Sequence, residues 1–254
     1  MTRLKDKIAV ITGAGTGIGR AIAHAMSREG AKVVLAGRRR GPLDDAVEAI
    51  VKGGGQAIAT SCDVSRDSDT RRAVEQAESA FGPVNILVNN AGILSATTIE
   101  SVTEDEWDSV MAINLKGPFL MSRAVLPSMR KAGGGSIVNV SSVLGLVAMK
   151  NRAAYCASKG GVTLLTKAMA IDHAADKIRV NCICPSIVET ELVQGLFPDT
   201  GEGRLAKQSR LEGIPLGRFG KPSDIAGLAV YLASDESSWM TGAALPLDGG
   251  LSAQ

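Results

Sequence analysis

A tyrosine and a lysine four residues apart, Tyr155 and Lys159, are the first residues of this sequence that suggest chemistry. On a helix these two positions lie on one face, so both side chains reach a shared ligand. A free tyrosine has a pKa of about 10, and a neighbouring ammonium favours the phenolate and lowers that pKa. Tyr155 is then able to exchange a proton with a substrate oxygen, which the Ser142 hydroxyl also reaches. By itself, the pair is more typical of a core tyrosine beside a solvated lysine.

A second candidate site lies near the start of the chain, where four apolar residues run into a glycine-rich turn. Its spacing is G-x-x-x-G-x-G, formed by Gly13, Gly17 and Gly19, and position 18 is Ile where G-x-G-x-x-G needs glycine. Glycines permit positive φ and close backbone approach, and the helix that follows offers free N–H groups at its positive end. These features favour a bound phosphate. A plain tight turn between strand and helix is an equal alternative at this point.

Alternating strand and helix patterns position these candidate sites. Strands are predicted at 7–12, 32–36, 57–61, 84–88, 136–140, 178–184 and 243–245. Helices are predicted at 17–29, 42–51, 103–130, 152–175 and 223–233, and one more is predicted to end near residue 80. This order predicts one α/β domain over residues 1–254, a Rossmann-type, doubly wound, mostly parallel seven-stranded sheet with helices on both faces.

In such sheets, ligands bind beyond the carboxyl ends of the strands, and the polar clusters of this sequence fall there. The polar residues 190–212, interrupted by Pro198, are predicted to form a mobile substrate flap.

The composition excludes several classes of function. The 254 residues include 28 basic and 26 acidic side chains, a net charge of +2, which gives no sign of a nucleic-acid surface. No apolar run is long enough for a membrane span, and no signal peptide is visible. The four cysteines, Cys62, Cys156, Cys182 and Cys184, match no zinc pattern. We expect no metal site, and we interpret the cysteines as buried free thiols of a cytoplasmic protein.

Several motifs taken together resemble the short-chain dehydrogenase/reductase family in its single-domain form. They cover essentially the whole chain, and they are Thr12-Gly13-x-x-x-Gly17-Ile18-Gly19, Asn89-Asn90-Ala91-Gly92, Ser142 and Tyr155-x-x-x-Lys159. The resemblance implies an oxidoreductase that transfers a hydride between a nicotinamide cofactor and a carbonyl or secondary alcohol.

The resemblance also implies four catalytic residues. Tyr155 would be the acid/base, and Lys159 would lower its pKa and hold the ribose hydroxyls of the nicotinamide. Ser142 would position the substrate oxygen, and its neighbour Ser141 lies at the wrong spacing from the tyrosine. Asn114 would hold a water that links Lys159 to solvent, although an ordinary polar residue within a long helix is the alternative.

Cofactor contacts follow from the same resemblance. They involve Tyr155, Lys159 and a further set of residues: Gly13, Thr16, Gly17, Ile18, Gly19, Arg38, Asp63, Val64, Asn90, Ala91, Gly92, Val188 and Thr190. Asp63 and Val64 would face the adenine, with Asp63 as an N-cap of the next helix as an alternative or additional role. Val188 and Thr190 would contact the carboxamide. Ser186 departs from the glycine that usually follows Pro185 in the family.

The end of the second predicted strand indicates NADP as the cofactor, with NAD as the alternative. An acidic residue there would bind the ribose 2′-hydroxyl and repel a 2′-phosphate, but this chain has Gly37 followed by Arg38. A guanidinium pairs with a phosphate in bidentate fashion. Thr16 weakens the prediction, because many NADP-using relatives carry a second basic residue there.

The substrate stays open between 3-oxoacyl thioesters, sugars and hydroxy acids. Arg152 could bind a substrate carboxylate or phosphate, although a solvated helix start is the more usual role of such a residue. A non-catalytic nucleotide sensor on the same fold is the alternative function. The resemblance further implies a homotetramer, joined by the long helices and the C-terminal segment.

Overall fold

The core of the molecule is a parallel β-sheet, seen in a computed structural model that describes residues 2–195 and 197–253. Its strands are β1 (Ile8–Thr12), β2 (Lys32–Gly37), β3 (Ala57–Ser61), β4 (Ile86–Asn89), β5 (Gly135–Val140), β6 (Ile178–Pro185) and β7 (Ala244–Leu247). Within the described residues these seven strands lie in the order β3-β2-β1-β4-β5-β6-β7, and each neighbouring pair is parallel. The predicted fold class is confirmed.

Helices cover both faces of this sheet. They are α1 (Gly17–Arg28), α2 (Arg40–Lys52), α3 (Asp67–Phe81), α4 (Glu104–Met111), α5 (Gly117–Lys131), α6 (Ala153–Asp172), α7 (Glu191–Gln194), α8 (Gly201–Glu212) and α9 (Pro222–Ala233). Helices α1, α2 and α9 pack on one face, and α3, α5 and α6 pack on the other. The strands are apolar at consecutive positions because both of their faces are buried: Leu35 points into one core and Val34 into the other.

Two segments differ from the sequence-based prediction. The helix predicted at 103–130 is interrupted by a π-helical turn at Ala112–Lys116, between α4 and α5. The predicted flap at 190–212 contains α7 and α8, with Leu196 outside the described residues. Helix α8 begins where the Thr200 hydroxyl accepts a hydrogen bond from the Gly203 N–H at 3.1 Å, an N-cap that was not predicted. The mobility of this segment stays a prediction.

The parallel arrangement places all strand carboxyl ends at one edge of the sheet. The order of the strands reverses between β1 and β4, and a crevice for a ligand is expected at that point. The glycine turn follows β1, Asn90 follows β4 and Ser142 follows β5, so the fold gathers both candidate sites at this edge. Among the helices described here, none combines the length and apolar character needed to cross a membrane.

Candidate active site

Hydrogen bonds of the Thr12 and Asn90 side chains hold the glycine turn against the end of β4. The Thr12 hydroxyl accepts hydrogen bonds from the N–H groups of Asn90 and Ala91 at 3.0 and 3.1 Å. In return, the Asn90 Nδ2 donates to the carbonyls of Thr12 and Gly13 at 3.0 and 3.2 Å. These bonds satisfy backbone groups that the turn leaves without partners, and they hold the turn beside Ala91 and the β4 end. Asn90 therefore has a structural role as well as its predicted place near the adenine ribose.

At three positions of the turn, only glycine suits the available space or the backbone conformation. A Cβ on Gly19 would lie 2.4 Å from the Gly13 carbonyl oxygen and 2.5 Å from Asn90 Nδ2. Gly13 and Gly17 have φ of +63° and +53°, which disfavour other residues. A Cβ on Gly17 would lie 3.0 Å from Thr190 Cγ2, so the turn also touches the predicted carboxamide segment.

The start of α1 meets the requirements of a phosphate site. Thr16 is its N-cap, and the Thr16 side chain makes no capping hydrogen bond to the helix. The first turn of α1, all of it described, contains no acidic residue, so nothing competes with an anion for the free N–H groups. The tight glycine cradle and this open helix start fit a dinucleotide pyrophosphate.

Lys159 is buried at the bottom of the site. It is 5% exposed, and its Nζ donates to the Val140 carbonyl at 2.9 Å. Burial lowers the pKa of Lys159 to about 8, although the nearby thiols of Cys182 and Cys184 act in the opposite direction. The Lys159 Nζ also lies 5.7 Å from the centroid of the Tyr155 ring. The predicted pair therefore does share one helix face, with the ammonium beneath the ring.

The ionisation of Tyr155 differs from the prediction. Burial raises the pKa of Tyr155 to about 12, opposed by a hydrogen bond with the Ser142 side chain and by the charge of Arg152. We expected Lys159 to lower this pKa, but in the cofactor-free chain desolvation is the largest cause and outweighs the groups that lower it. The Tyr155 phenol is consequently protonated at neutral pH and is able to donate a proton.

The two adjacent serines after β5 have different roles. The Ser141 hydroxyl donates to the Lys159 carbonyl at 2.8 Å and lies 3.2 Å from Thr163 Oγ1, so it is committed to the backbone of α6. The Ser142 hydroxyl accepts from the Leu144 N–H at 3.1 Å and interacts with Tyr155. The Ser142 hydroxyl also donates to the Pro185 carbonyl at 3.4 Å, and its role as the serine that faces a substrate oxygen stays a prediction.

Asn114 lies in the π-helical turn and connects three segments around Lys159. Its Oδ1 accepts from the Ile93 N–H at 2.9 Å, and its Nδ2 donates to the Ile93 carbonyl at 2.9 Å and to Ser158 Oγ at 3.2 Å. Gly92 lies close to both side chains: a Cβ on Gly92 would be 3.3 Å from Asn114 Oδ1 and 3.6 Å from Lys159 Nζ. Asn114 is 1% exposed and is no ordinary surface residue of a helix. Such π turns occur often at functional sites.

The predicted adenine end of the site carries an uncommitted arginine. Arg39 pairs with Glu191 at 3.5 Å and Arg40 with Asp44 at 2.8 Å, whereas Arg38 has no ion pair among the described residues. Arg38 is exposed just after β2. Of the three consecutive arginines, it is therefore the one available to an anion.

Asp63 and Val64, the other residues predicted at this end, lie after β3. Burial tends to raise the pKa of Asp63, but hydrogen bonds from Ser65 and the charges of Arg38 and Arg66 outweigh it, and the pKa is lowered. The alternative role of Asp63 as a helix N-cap is wrong, because α3 is capped at Arg66 and the Asp63 carboxylate bonds Ser65 instead. Val64 is buried, and a Cβ on Gly117 would lie 2.8 Å from its Cγ2.

The segment after β6 closes the site on its other side. Val188 is buried and pairs with Gly220 in an isolated bridge, and the Thr190 hydroxyl donates to the Val188 carbonyl at 3.3 Å. Ser186, which stands where the family usually has glycine, does not have positive φ, so its side chain causes no backbone strain. Its hydroxyl donates to the Asp248 carbonyl at 3.1 Å and ties this segment to the C-terminal one.

Sequence reasoning missed the residues that support this site from behind. They are the Val140 carbonyl, the Ser158 hydroxyl between Asn114 and the Tyr155 carbonyl, and Gly145, whose Cβ would lie 2.7 Å from the Lys159 carbonyl oxygen. A backbone carbonyl such as that of Val140 has no sequence signal. Ser158 could have been indicated only by its spacing of three residues from Tyr155. Within the described residues, no group of three or more His, Cys, Asp or Glu side chains could hold a metal ion.

Comparisons with known proteins agree with this geometry. The family model described as enoyl-(acyl carrier protein) reductase matches residues 13–252. The chain is 41% identical over 257 residues to 2-(S)-hydroxypropyl-CoM dehydrogenase 3 of Xanthobacter autotrophicus, covering 99% of this chain and 98% of that protein. It is also 41% identical over 256 residues to the NADP-dependent (R)-specific alcohol dehydrogenase of Lentilactobacillus kefiri, covering 99% of each.

A solved structure shows the same similarity in three dimensions. The crystal structure of a short-chain type dehydrogenase/reductase from Mycobacterium marinum superposes with a TM-score of 0.92 at 36% identity, covering 100% of this chain and 98% of that one.

Proposed function

The chain belongs to the short-chain dehydrogenase/reductase family, whose members act on CH–OH groups with NAD(P), and we propose that Tyr155 is its catalytic acid/base. The observation that carries the proposal is that the buried Lys159 ammonium lies 5.7 Å from the centroid of the Tyr155 ring, where the Ser142 side chain acts to lower the Tyr155 pKa. The hydroxyls of Tyr155 and Ser142 are then able to hydrogen-bond one substrate oxygen. We further propose NADP(H) as the cofactor.

The residues of the chain supply binding and proton transfer. When bound, the nicotinamide donates or accepts the hydride. Ser142 hydrogen-bonds the carbonyl oxygen and orients it, and the Tyr155 phenol donates its proton to that oxygen as the alcohol forms. The positive charge of Lys159 favours the resulting phenolate, and the Asn114 amide holds Ile93 and Ser158 in place beside Lys159. In alcohol oxidation the phenolate takes the proton back.

The preference for NADP over NAD rests on Arg38. It is exposed, it follows β2, and it lacks the carboxylate partners that occupy Arg39 and Arg40. A free guanidinium pairs with a 2′-phosphate, and Gly37 offers no carboxylate to a 2′-hydroxyl. The name of the Lentilactobacillus kefiri relative includes NADP dependence and supports this preference.

We expect NADPH to bind at least about tenfold more tightly than NADH. Arg38→Asp should reverse the order, because a carboxylate repels the 2′-phosphate and accepts from the 2′-hydroxyl. Fluorescence titration with both nucleotides measures this. Arg39→Asp applies the same charge change one residue later and should keep the NADPH preference. Equal affinities of the wild-type protein for the two nucleotides would contradict the assignment.

A homotetramer in the cytoplasm is the state we propose for the protein. Exposed apolar side chains on α6 and in the C-terminal segment support assembly, since monomers rarely expose such patches. The four cysteines are free, and Cys62, Cys182 and Cys184 are buried, whereas Cys156, which we expected to be buried, is half-buried.

A substrate panel tests the proposed reaction. Secondary alcohols and ketones should be turned over, with 3-oxoacyl thioesters, sugars and hydroxy acids as the classes to compare. The readout is NADPH absorbance, followed in both directions. Absence of turnover across the whole panel would contradict the proposal and favour a nucleotide sensor.

A further inference from the structure

Arg152 is a half-buried cation close to the reacting groups that the proposed reaction does not use. It is the N-cap residue of α6, three positions before Tyr155, and its Nη1 donates to the Asn151 carbonyl at 2.7 Å. No carboxylate in the described part of the chain forms an ion pair with it, and the first turn of α6 contains no acidic residue. A partly desolvated charge without a counterion is unfavourable unless a ligand supplies one.

A second guanidinium, that of Arg210 on α8, acts electrostatically on Arg152. Burial lowers the pKa of Arg152, and the next largest cause is the positive charge of Arg210 on α8. Arg210 likewise has no ion pair among the described residues. The other cations of this helix are engaged: Arg204 pairs with Asp199 at 2.6 Å, and the Lys207 Nζ lies 5.9 Å from the centroid of the Phe219 ring. Arg152 and Arg210 therefore both lack a carboxylate partner among the described residues, and the charge of Arg210 acts on Arg152.

We propose that Arg152, assisted by Arg210, binds an anionic group of the substrate, which is therefore a ketone or secondary alcohol that carries a carboxylate, phosphate or sulfonate. The proposal rests on the proposed function, since it takes Tyr155 as the position of the reacting oxygen. Repulsion between the two guanidiniums is offset when they share an anion, and a guanidinium binds such groups through two parallel hydrogen bonds.

The placement of Arg152 brings its side chain near the reacting group. Residues three apart on a helix have Cβ atoms about 5–6 Å from each other, so Arg152 and Tyr155 are close enough to contact one substrate molecule. Leu146 and Val147, exposed between Ser142 and α6, offer an apolar wall for the part between them. Among the substrate classes left open, an anion site favours hydroxy acids and sugars that carry a phosphate over uncharged sugars.

The first test compares charged and uncharged ketones. Ketones with a carboxylate, phosphate or sulfonate and their neutral ester or amide counterparts are assayed with NADPH. For the charged ketones, Arg152→Gln should lower kcat/KM by about tenfold to a hundredfold, mainly through KM, and Arg152→Lys should recover part of it. The neutral ketones should lose much less, only what the missing Arg152 charge costs proton donation by Tyr155. Arg210→Gln should have a smaller effect of the same kind, and the paired Arg204→Gln should have none.

A second readout needs no turnover. A saturated carboxylate without a keto group should raise the Tm of the wild-type protein relative to chloride at equal ionic strength, and it should not raise that of Arg152→Gln. Equal losses for charged and neutral ketones, or equal thermal shifts in both proteins, would overturn the anion site. If no ketone is reduced at all, the proposed function fails, and the thermal shift still decides about Arg152.

Discussion

Lys159 places a positive charge in a position that is only 5% exposed, and this has a consequence for stability. Burial lowers its pKa from the ordinary value of 10.5 to about 8, so the folded chain holds this proton less tightly than the unfolded chain. Between those values the unfolded state binds more protons, and stability therefore rises with pH. The penalty of the buried charge is fully present below about pH 8.

We expect Lys159→Met to remove this pH dependence in the cofactor-free protein. The free energy of unfolding of the variant, relative to the wild type, should fall by about 2.5 kcal/mol between about pH 7 and about pH 10. Denaturant unfolding at both pH values measures it. Lys167→Met, at an exposed position of α6, is the control and should differ from the wild type equally at both. Parallel pH profiles of Lys159→Met and wild type would contradict this account.

At the same scale, the sequence predicts the reacting residues but not their electrostatics. The spacing to Tyr155 predicts Ser142 rather than Ser141 as the reacting serine, and Ser141 donates to the backbone of α6. The direction of the Tyr155 pKa shift could not be predicted, because spacing says nothing of burial depth or of the Val140 carbonyl that takes the Lys159 hydrogen bond.

Among the elements, the turn between β1 and α1 is the most restricted in space. Gly19→Ala should destabilise the protein by about 1–3 kcal/mol, because its Cβ would overlap the Gly13 carbonyl and Asn90 Nδ2, and it should also weaken NADPH binding. Urea unfolding and nucleotide titration measure the two effects. Gly41→Ala on α2 is the matched control: its Cβ would meet nothing within 4 Å, and it should leave stability unchanged or raise it slightly. Equal stabilities of the two variants would contradict the steric overlap that we infer at Gly19.

The π-helical turn at Ala112–Lys116 shows a limit of sequence reasoning for elements. The periodicity of 103–130 correctly indicates a helix, but an inserted residue in one turn changes the pattern too little to be seen. The role of the turn follows only from the hydrogen bonds of Asn114 to Ile93 and Ser158, two residues that are distant from it in sequence. Strands and helices were predictable because their apolar runs and glycine ends are local signals.

For the whole molecule, the alternation of strands and helices was sufficient to predict the sheet. The proposed assembly depends instead on side chains that are exposed in the single chain. Leu164 and Ile171 lie seven residues apart on α6 and are 68% and 80% exposed, and Trp239 is fully exposed near the C-terminal segment. We propose that these side chains contact other copies of the chain in the predicted tetramer.

We expect the wild-type protein to sediment as a tetramer and Ile171→Glu to sediment as smaller species, because a buried, unpaired carboxylate is unfavourable at an interface. Leu205→Glu on α8 is the control, since Leu205 is 72% exposed but lies outside the predicted interface. Sedimentation velocity distinguishes the cases. A wild-type monomer, or a tetramer indifferent to Ile171→Glu, would contradict the predicted assembly.

The most direct test of the proposed function is Tyr155→Phe, measured for carbonyl reduction and NADPH binding in the same preparation. The variant lacks only the phenolic oxygen, which we propose to donate the proton. Turnover should fall by about a hundredfold or more, while the NADPH affinity stays close to that of the wild type. If Tyr155→Phe reduces the same carbonyl compound at the wild-type rate, Tyr155 is not the acid/base and the proposed mechanism is wrong.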